Sequence, residues 1–144
     1  MQDIYKILCK DILKKYYSVR NTIGDISLQI EEINSRLTST TARYGIDPVQ
    51  GGGNGVEENY LNNLAKKALL EKNNEDNIQL IETVEEALKV LTDKEEDITL
   101  TLFASGQRGM ADKLADKYHY DKSYIYTIAN DSLKKISYKI FGDA

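Results

Sequence analysis

Wound at helical spacing, Lys122, Ser123, Tyr126, Thr127 and Asn130 fall on one face of a stretch reaching to Ile140. All five side chains can donate hydrogen bonds. A row of donors on one helix suits the reading of base edges in a DNA major groove. There an Asn can pair bidentately with adenine and a Lys can reach guanine. The opposite face holds Ile125, Ile128, Ala129, Ser132 and Ile136. Just upstream, Leu114, Ala115 and Tyr118 form the apolar stripe of a shorter helix, and His119, Tyr120 and Asp121 form a turn with Tyr120 directed inward. A small residue at the crossing, a three-residue turn and a second helix in register describe a helix-turn-helix over residues 107–140. An Ala and several Ile at helical spacing also fit any two packed helices. The conjunction of Ala115, the short turn, Ile125 and Ile128 favours the helix-turn-helix.

Arg108, Lys113, Lys117, Lys134 and Lys135 surround this face and are candidates for phosphate contact, which fixes register without reading sequence. The net charge of the chain is −4, but its distribution is uneven. Residues 51–106 carry 5 Lys/Arg against 12 Asp/Glu, whereas residues 107–144 carry 7 against 5. The acid sits in the middle and the helix-turn-helix is mildly basic, so attraction of one copy to phosphate is modest.

Other chemistry finds little support. The only His lies in the turn, and no paired carboxylates or nucleophile motif stand in a recognisable frame, so no enzyme is expected. One Cys and one His make a metal site improbable and exclude an intramolecular disulfide, and no cofactor is implied. The lone Cys9 reads as a small core residue and suggests a reducing cytosol. No apolar run is long enough to span a membrane and no signal peptide is recognised, so a cytoplasmic protein is expected.

The elements that must position the face come earlier. Tyr5, Cys9, Ile12, Tyr16, Val19, Ile23, Ile26, Ile30, Ile33 and Leu37 alternate spacings of four and three, which predicts one long helix over residues 2–39 with a coiled-coil-like seam. Such a helix is on the order of 50 Å long. Ile4, Ile7, Leu8 and Leu13 lie off the seam, so it should pack on more than one side, and Gly24 is its weak point. Residues 40–56, with Pro48 and the run Gly51, Gly52, Gly53, Asn54, Gly55, predict a loop. The glycine run lacks the strand and the Lys-Ser/Thr of a nucleotide-binding loop. A second helix is expected over 57–91, with Leu61, Leu64, Ala68, Ile78, Ile81, Leu88 and Leu91 on its apolar face and the polar stretch 72–77 in its middle. It should fold back antiparallel on the first, while Glu82, Glu85 and Glu86 read as a solvated face. Thr92 and Glu95 form a capping box that starts a third helix over 93–103. Residues 98–103, ITLTLF, also alternate like a strand. Through Ile98, Leu102 and Phe103 that helix should join the helix-turn-helix in a three-helix head, a unit that is marginal alone.

The predicted fold is therefore all-α, with a helical hairpin over residues 1–91 followed by a helix-turn-helix head over 92–144. This order, with the loop ARYGIDPVQGGGNG and the stretch LADKYHYDKSYIYTIANDSLKKI, resembles phage and prophage transcriptional regulators of the ArpU/RinA type, whose head is similar to sigma factor region 4. Leu114 and Ala115 match the family's Ile-Ala pair, and Ser132, Leu133, Lys134, Lys135 and Ile136 match its closing segment. The resemblance covers nearly the whole chain. It implies promoter binding and activation of late phage genes in the bacterial host. The sequence departs from the family pattern at three places. His119 replaces the turn Gly, Asp121 replaces the capping Ser, and Lys122 is the only basic residue on the reading face, with Lys134, Lys135 and Lys139 further along. Double-stranded DNA is the expected partner, with a second copy of the chain and host RNA polymerase as further ones. Two other classes fit less well. One is a DNA-packaging protein like a terminase small subunit, in which the DNA-binding unit usually comes first. The other is a module that touches RNA polymerase without binding DNA.

Overall fold

The computed structural model describes residues 1–46 and 53–144, with side chains over 1–39 and 55–144. The fold is all-α: α1 (Asp3–Arg20), α2 (Ile23–Ile46), α3 (Gly53–Leu88), α4 (Asp93–Phe103), α5 (Met110–Tyr118) and α6 (Lys122–Phe141). No strand occurs among the described residues, and no helix there is long and apolar enough to cross a membrane.

The single helix predicted over 2–39 is two helices, broken at Asn21 and Thr22. Both residues have weak helix propensity because their short polar side chains compete for the backbone. Gly24, the expected weak point, lies inside α2. The seam spacing survives the break, and every residue of the seam is buried or partly buried. The loop predicted over 40–56 is narrower, because α2 continues to Ile46 and α3 begins at Gly53; Pro48, Gly51 and Gly52 lie outside the described residues.

The chain forms two compact units, and they do not divide at 91/92. One unit comprises Met1–Asn21 with Gln79–Ala144, and the other Thr22–Ile78. The reason is the core of the first unit. Cys9, Leu13 and Tyr16 of α1 and Val84, Ala87 and Leu88 of α3 are buried with Leu100, Ala104, Leu133 and Ile136. A three-helix head has too little interior of its own, and α1 with the last turns of α3 supplies the rest. Leu13, off the predicted seam, is fully buried. Cys9 is likewise a core residue, and burial raises its thiol pKa.

A second cluster, Ile98, Leu114, Ile125 and Ala129, lies between α4, α5 and α6, with Leu102, Phe103, Ala115, Tyr118, Tyr120 and Ile128 packed against it. Thus α6 has two buried segments, one in each cluster. α4 is a helix despite the strand-like ITLTLF pattern. Thr92 Oγ1 accepts a bond from the Glu95 amide at 3.3 Å and starts it. Buried Thr99 donates to the Glu95 carbonyl at 2.6 Å, so its hydroxyl is satisfied within the helix. The Glu95 carboxylate turns back to Thr92, accepting from its hydroxyl at 3.3 Å through one oxygen, while the other oxygen accepts from Lys135 of α6 at 2.7 Å.

In the second unit Ile33 and Leu37 of α2 are buried. A groove of about 650 Å³ is lined by Glu32, Ser35 and Arg36 of α2 and by Asn59, Asn62 and Asn63 of α3. Up to Ile78 the apolar face predicted for α3 is not its buried face. Leu61, Leu64, Ala68 and Ile78 are exposed, while Tyr60, Asn63, Lys67, Leu70, Asn74 and Asn77 are partly buried.

Candidate nucleic-acid interface

The geometry begins at the α5–α6 turn. His119 has φ 57° and ψ 42°, the left-handed conformation, and is the only non-glycine residue with positive φ among those described. The Tyr120 amide donates back to the Ala115 carbonyl at 3.1 Å, which closes α5 in the Schellman manner. The chain reverses there, and α6 starts at once. Asp121 occupies the N-cap position with extended backbone, and its carbonyl accepts the Tyr124 and Ile125 amides. Its carboxylate makes no capping bond, so the side-chain cap expected of Asp121 is absent.

Ile125 and Ala129 are completely buried and fix the rotation of α6. As a consequence Lys122, Ser123, Tyr126 and Thr127 are exposed on the far side, while Asn130 is partly buried at its edge. The face is less open chemically than its residue types imply. Lys122 lies 3.4 Å from Asp112 of α5. Thr127 donates to the Ser123 carbonyl at 3.1 Å, one turn back in its own helix. Ser123, Tyr126 and Asn130 have no side-chain hydrogen bond among the described residues.

The phosphate candidates divide in the same way. Arg108, Lys113 and Lys134 are exposed and make no ion pair among the described residues. Lys117 lies 2.7 Å from Asp97, and Lys135 lies 2.7 Å from Glu95. Desolvation pushes the Asp97 carboxyl up, but bonds from Lys117, Tyr118 and Thr101 outweigh it and hold its pKa below the usual carboxylate value. The Glu95 carboxyl is also held low, chiefly by its hydrogen bond from Lys135. These two pairs tie α5 and α6 to α4.

Beside the donor face lies a groove of about 560 Å³ whose lining includes Lys94, Tyr120, Tyr124, Lys134, Lys135 and Tyr138. Lys94 donates to the Tyr120 hydroxyl at 2.8 Å, and the Tyr124 ring meets Tyr120 edge-on at 4.9 Å between centroids. Lys94, Tyr124 and Tyr138 were not among the residues the sequence singled out. A signal for part of the groove exists, since residues 124, 128, 131, 135 and 138 repeat at helical spacing just beside the core stripe.

Comparison with protein-family models, with curated proteins and with solved structures finds no match.

Proposed function

We propose that the chain is a sequence-specific DNA-binding transcriptional regulator of phage or prophage genes, with α5 and α6 as its helix-turn-helix and α6 as its recognition helix. The observation that carries this reading is the division of α6. Ile125 and Ala129 are locked into the core, and Lys122, Ser123, Tyr126 and Thr127 are thereby turned to solvent across the αL turn at His119. Asn130 at the edge of that face pairs with adenine, and Lys122 reaches guanine once it leaves Asp112. Arg108, Lys113 and Lys134 contact phosphate directly, whereas Lys117 and Lys135 do so while already partnered by carboxylates.

The modest positive charge of one head makes a homo-oligomer the working form, with two heads on half-sites about 34 Å apart. α2 and α3 act as the two arms of an antiparallel helical hairpin that brings copies together. By its resemblance to the ArpU/RinA type, the protein activates late genes in the cytoplasm of the bacterial host. The test is selection of bound fragments from phage and host DNA, followed by measurement on the selected site. Replacing Lys122, Tyr126 and Asn130 together by Ala should abolish preference for that site while far-UV circular dichroism stays unchanged. Unchanged binding by the triple variant would remove α6 from the groove.

A second reading is a module that contacts RNA polymerase without DNA. The engagement of Lys117 and Lys135 by Asp97 and Glu95 favours it, because it leaves few cations for phosphate. Capture of polymerase by a chain that shifts no DNA would support it.

A further inference from the structure

Along the part of α3 that belongs to the second unit, an apolar stripe is left in solvent while polar side chains are partly buried. The partly buried side of α3 carries Asn63, Lys67, Asn74 and Asn77 beside Tyr60 and Leu70, and the Asn74 side-chain carbonyl is buried with no hydrogen-bond partner. Its outer side carries Leu61 and Leu69, 57% and 60% exposed, with Leu64, Ala65 and Ala68 between them, all exposed. Positions 61, 64, 65, 68 and 69 make a continuous helical stripe. A rimmed, exposed apolar stripe of this kind marks a protein contact.

The charges that bound the stripe identify the occupant. Glu58 closes it at one end and Lys72 at the other, each seven residues from Ala65. Leu61 and Leu69 lie four residues to either side of the same Ala65. Positions 58, 61, 65, 69 and 72 are thus complementary to themselves when the helix is reversed about Ala65. We infer that this face of α3 pairs antiparallel with the same face of a second copy of this chain, about a two-fold axis at Ala65. Leu61 of one copy then meets Leu69 of the other, and Glu58 meets Lys72, each contact occurring twice as an isologous interface requires. Ala65 and Ala68 allow the helices to approach closely at the crossing. A parallel pairing would set Glu58 against Glu58 and Lys72 against Lys72, and like charges placed together select against it.

This pairing gives a surface and an orientation to the self-association of the proposed regulator. It does not rest on DNA binding, so it stands or falls in experiments without DNA. Light scattering on the full chain at tens of micromolar should give the mass of a dimer. Leu61→Glu with Leu69→Glu should give a monomer of unchanged helicity. Glu58→Lys should weaken the dimer roughly tenfold or more, and adding Lys72→Glu should restore it. Orientation is read separately. Under oxidised glutathione, a mixture of Leu61→Cys and Leu69→Cys chains should give the 61–69 heterodisulfide, with buried Cys9 standing aside. A monomeric native chain, a dimer that survives the double Glu change, or 61–61 and 69–69 disulfides in place of 61–69 would each overturn the proposal.

Discussion

α6 turns Ile125, Ala129, Leu133 and Ile136 inward and Lys122, Ser123, Tyr126 and Thr127 outward; α3 up to Ile78 half-buries Asn63, Asn74 and Asn77 and leaves Leu61, Leu64 and Leu69 in water. Both helices carry a stripe of apolar residues. In α6 the chain's own core covers the apolar side, and the polar side faces solvent. In α3 the assignment is reversed. Amphipathic spacing therefore reports that a face needs covering, not what covers it.

The largest effect should come from the inward side of α6. Ile125→Ala removes a fully buried side chain and should cost about 2–5 kcal/mol, read from urea unfolding. Leu61→Ala, at low protein concentration where copies are apart, should stay within about 0.5 kcal/mol. Equal costs at the two positions would erase the contrast between the helices.

On the outward side of α6, Asn130→Ala should cost roughly 1–3 kcal/mol on the selected DNA site and relax preference there. Lys134→Ala should weaken all sequences alike and lower the salt slope by about one. Lys117→Ala and Lys135→Ala should lower it less, since carboxylates already partner those cations. Titrations at several salt concentrations separate the two kinds of residue.

The turn that aims α6 comes next. His119→Gly relieves an αL backbone and should stabilise the folded chain by about 1 kcal/mol, seen as a higher urea midpoint with unchanged slope. No gain there would mean that the His119 side chain compensates for its conformation.

The smallest effect concerns acid. Asp97 and Glu95 have lowered pKa values in the folded chain. Their stabilisation is present above the ordinary carboxylate range of about 4 and fades as pH falls below it through the lowered folded values. Both carboxyls remain partly in solvent, so each contributes under roughly 1 kcal/mol. Asp97→Asn should flatten the acid limb of stability against pH, and Leu61→Ala should leave that limb untouched.

The interior of the α5–α6 region was legible because the pattern repeats. Ile125 and Ala129 are one helical turn apart, Leu114 stands on the helix before them, and the short turn leaves few ways to fold them together. The packing of α1 into the same unit was not legible. Cys9 and Leu133 are 124 residues apart, and nothing local to Cys9 names its partner. Asn21 and Thr22 were missed as a break because the seam runs past them undisturbed. Up to Ile78 the leucine spacing of α3 points to the wrong inner face, because spacing alone does not say which side is covered. Of the donor face, the residue types were readable. The Lys122–Asp112 pair and the back-bonded Thr127 were not, since both depend on side-chain placement.

The helix α4 has one more consequence, for the fate of the chain when it opens. Its residues 98–103 are Ile-Thr-Leu-Thr-Leu-Phe, with no charge and no Pro, a composition suited to stacking as extended strands. In the folded chain Ile98 and Thr99 are fully buried and Leu100 nearly so, and Thr92 holds the helix start. Removing that cap with Thr92→Ala therefore loosens the element that keeps an aggregation-prone hexapeptide out of reach of its copies, and incubation of that variant near its unfolding midpoint should yield thioflavin-positive deposits sooner than the native chain does.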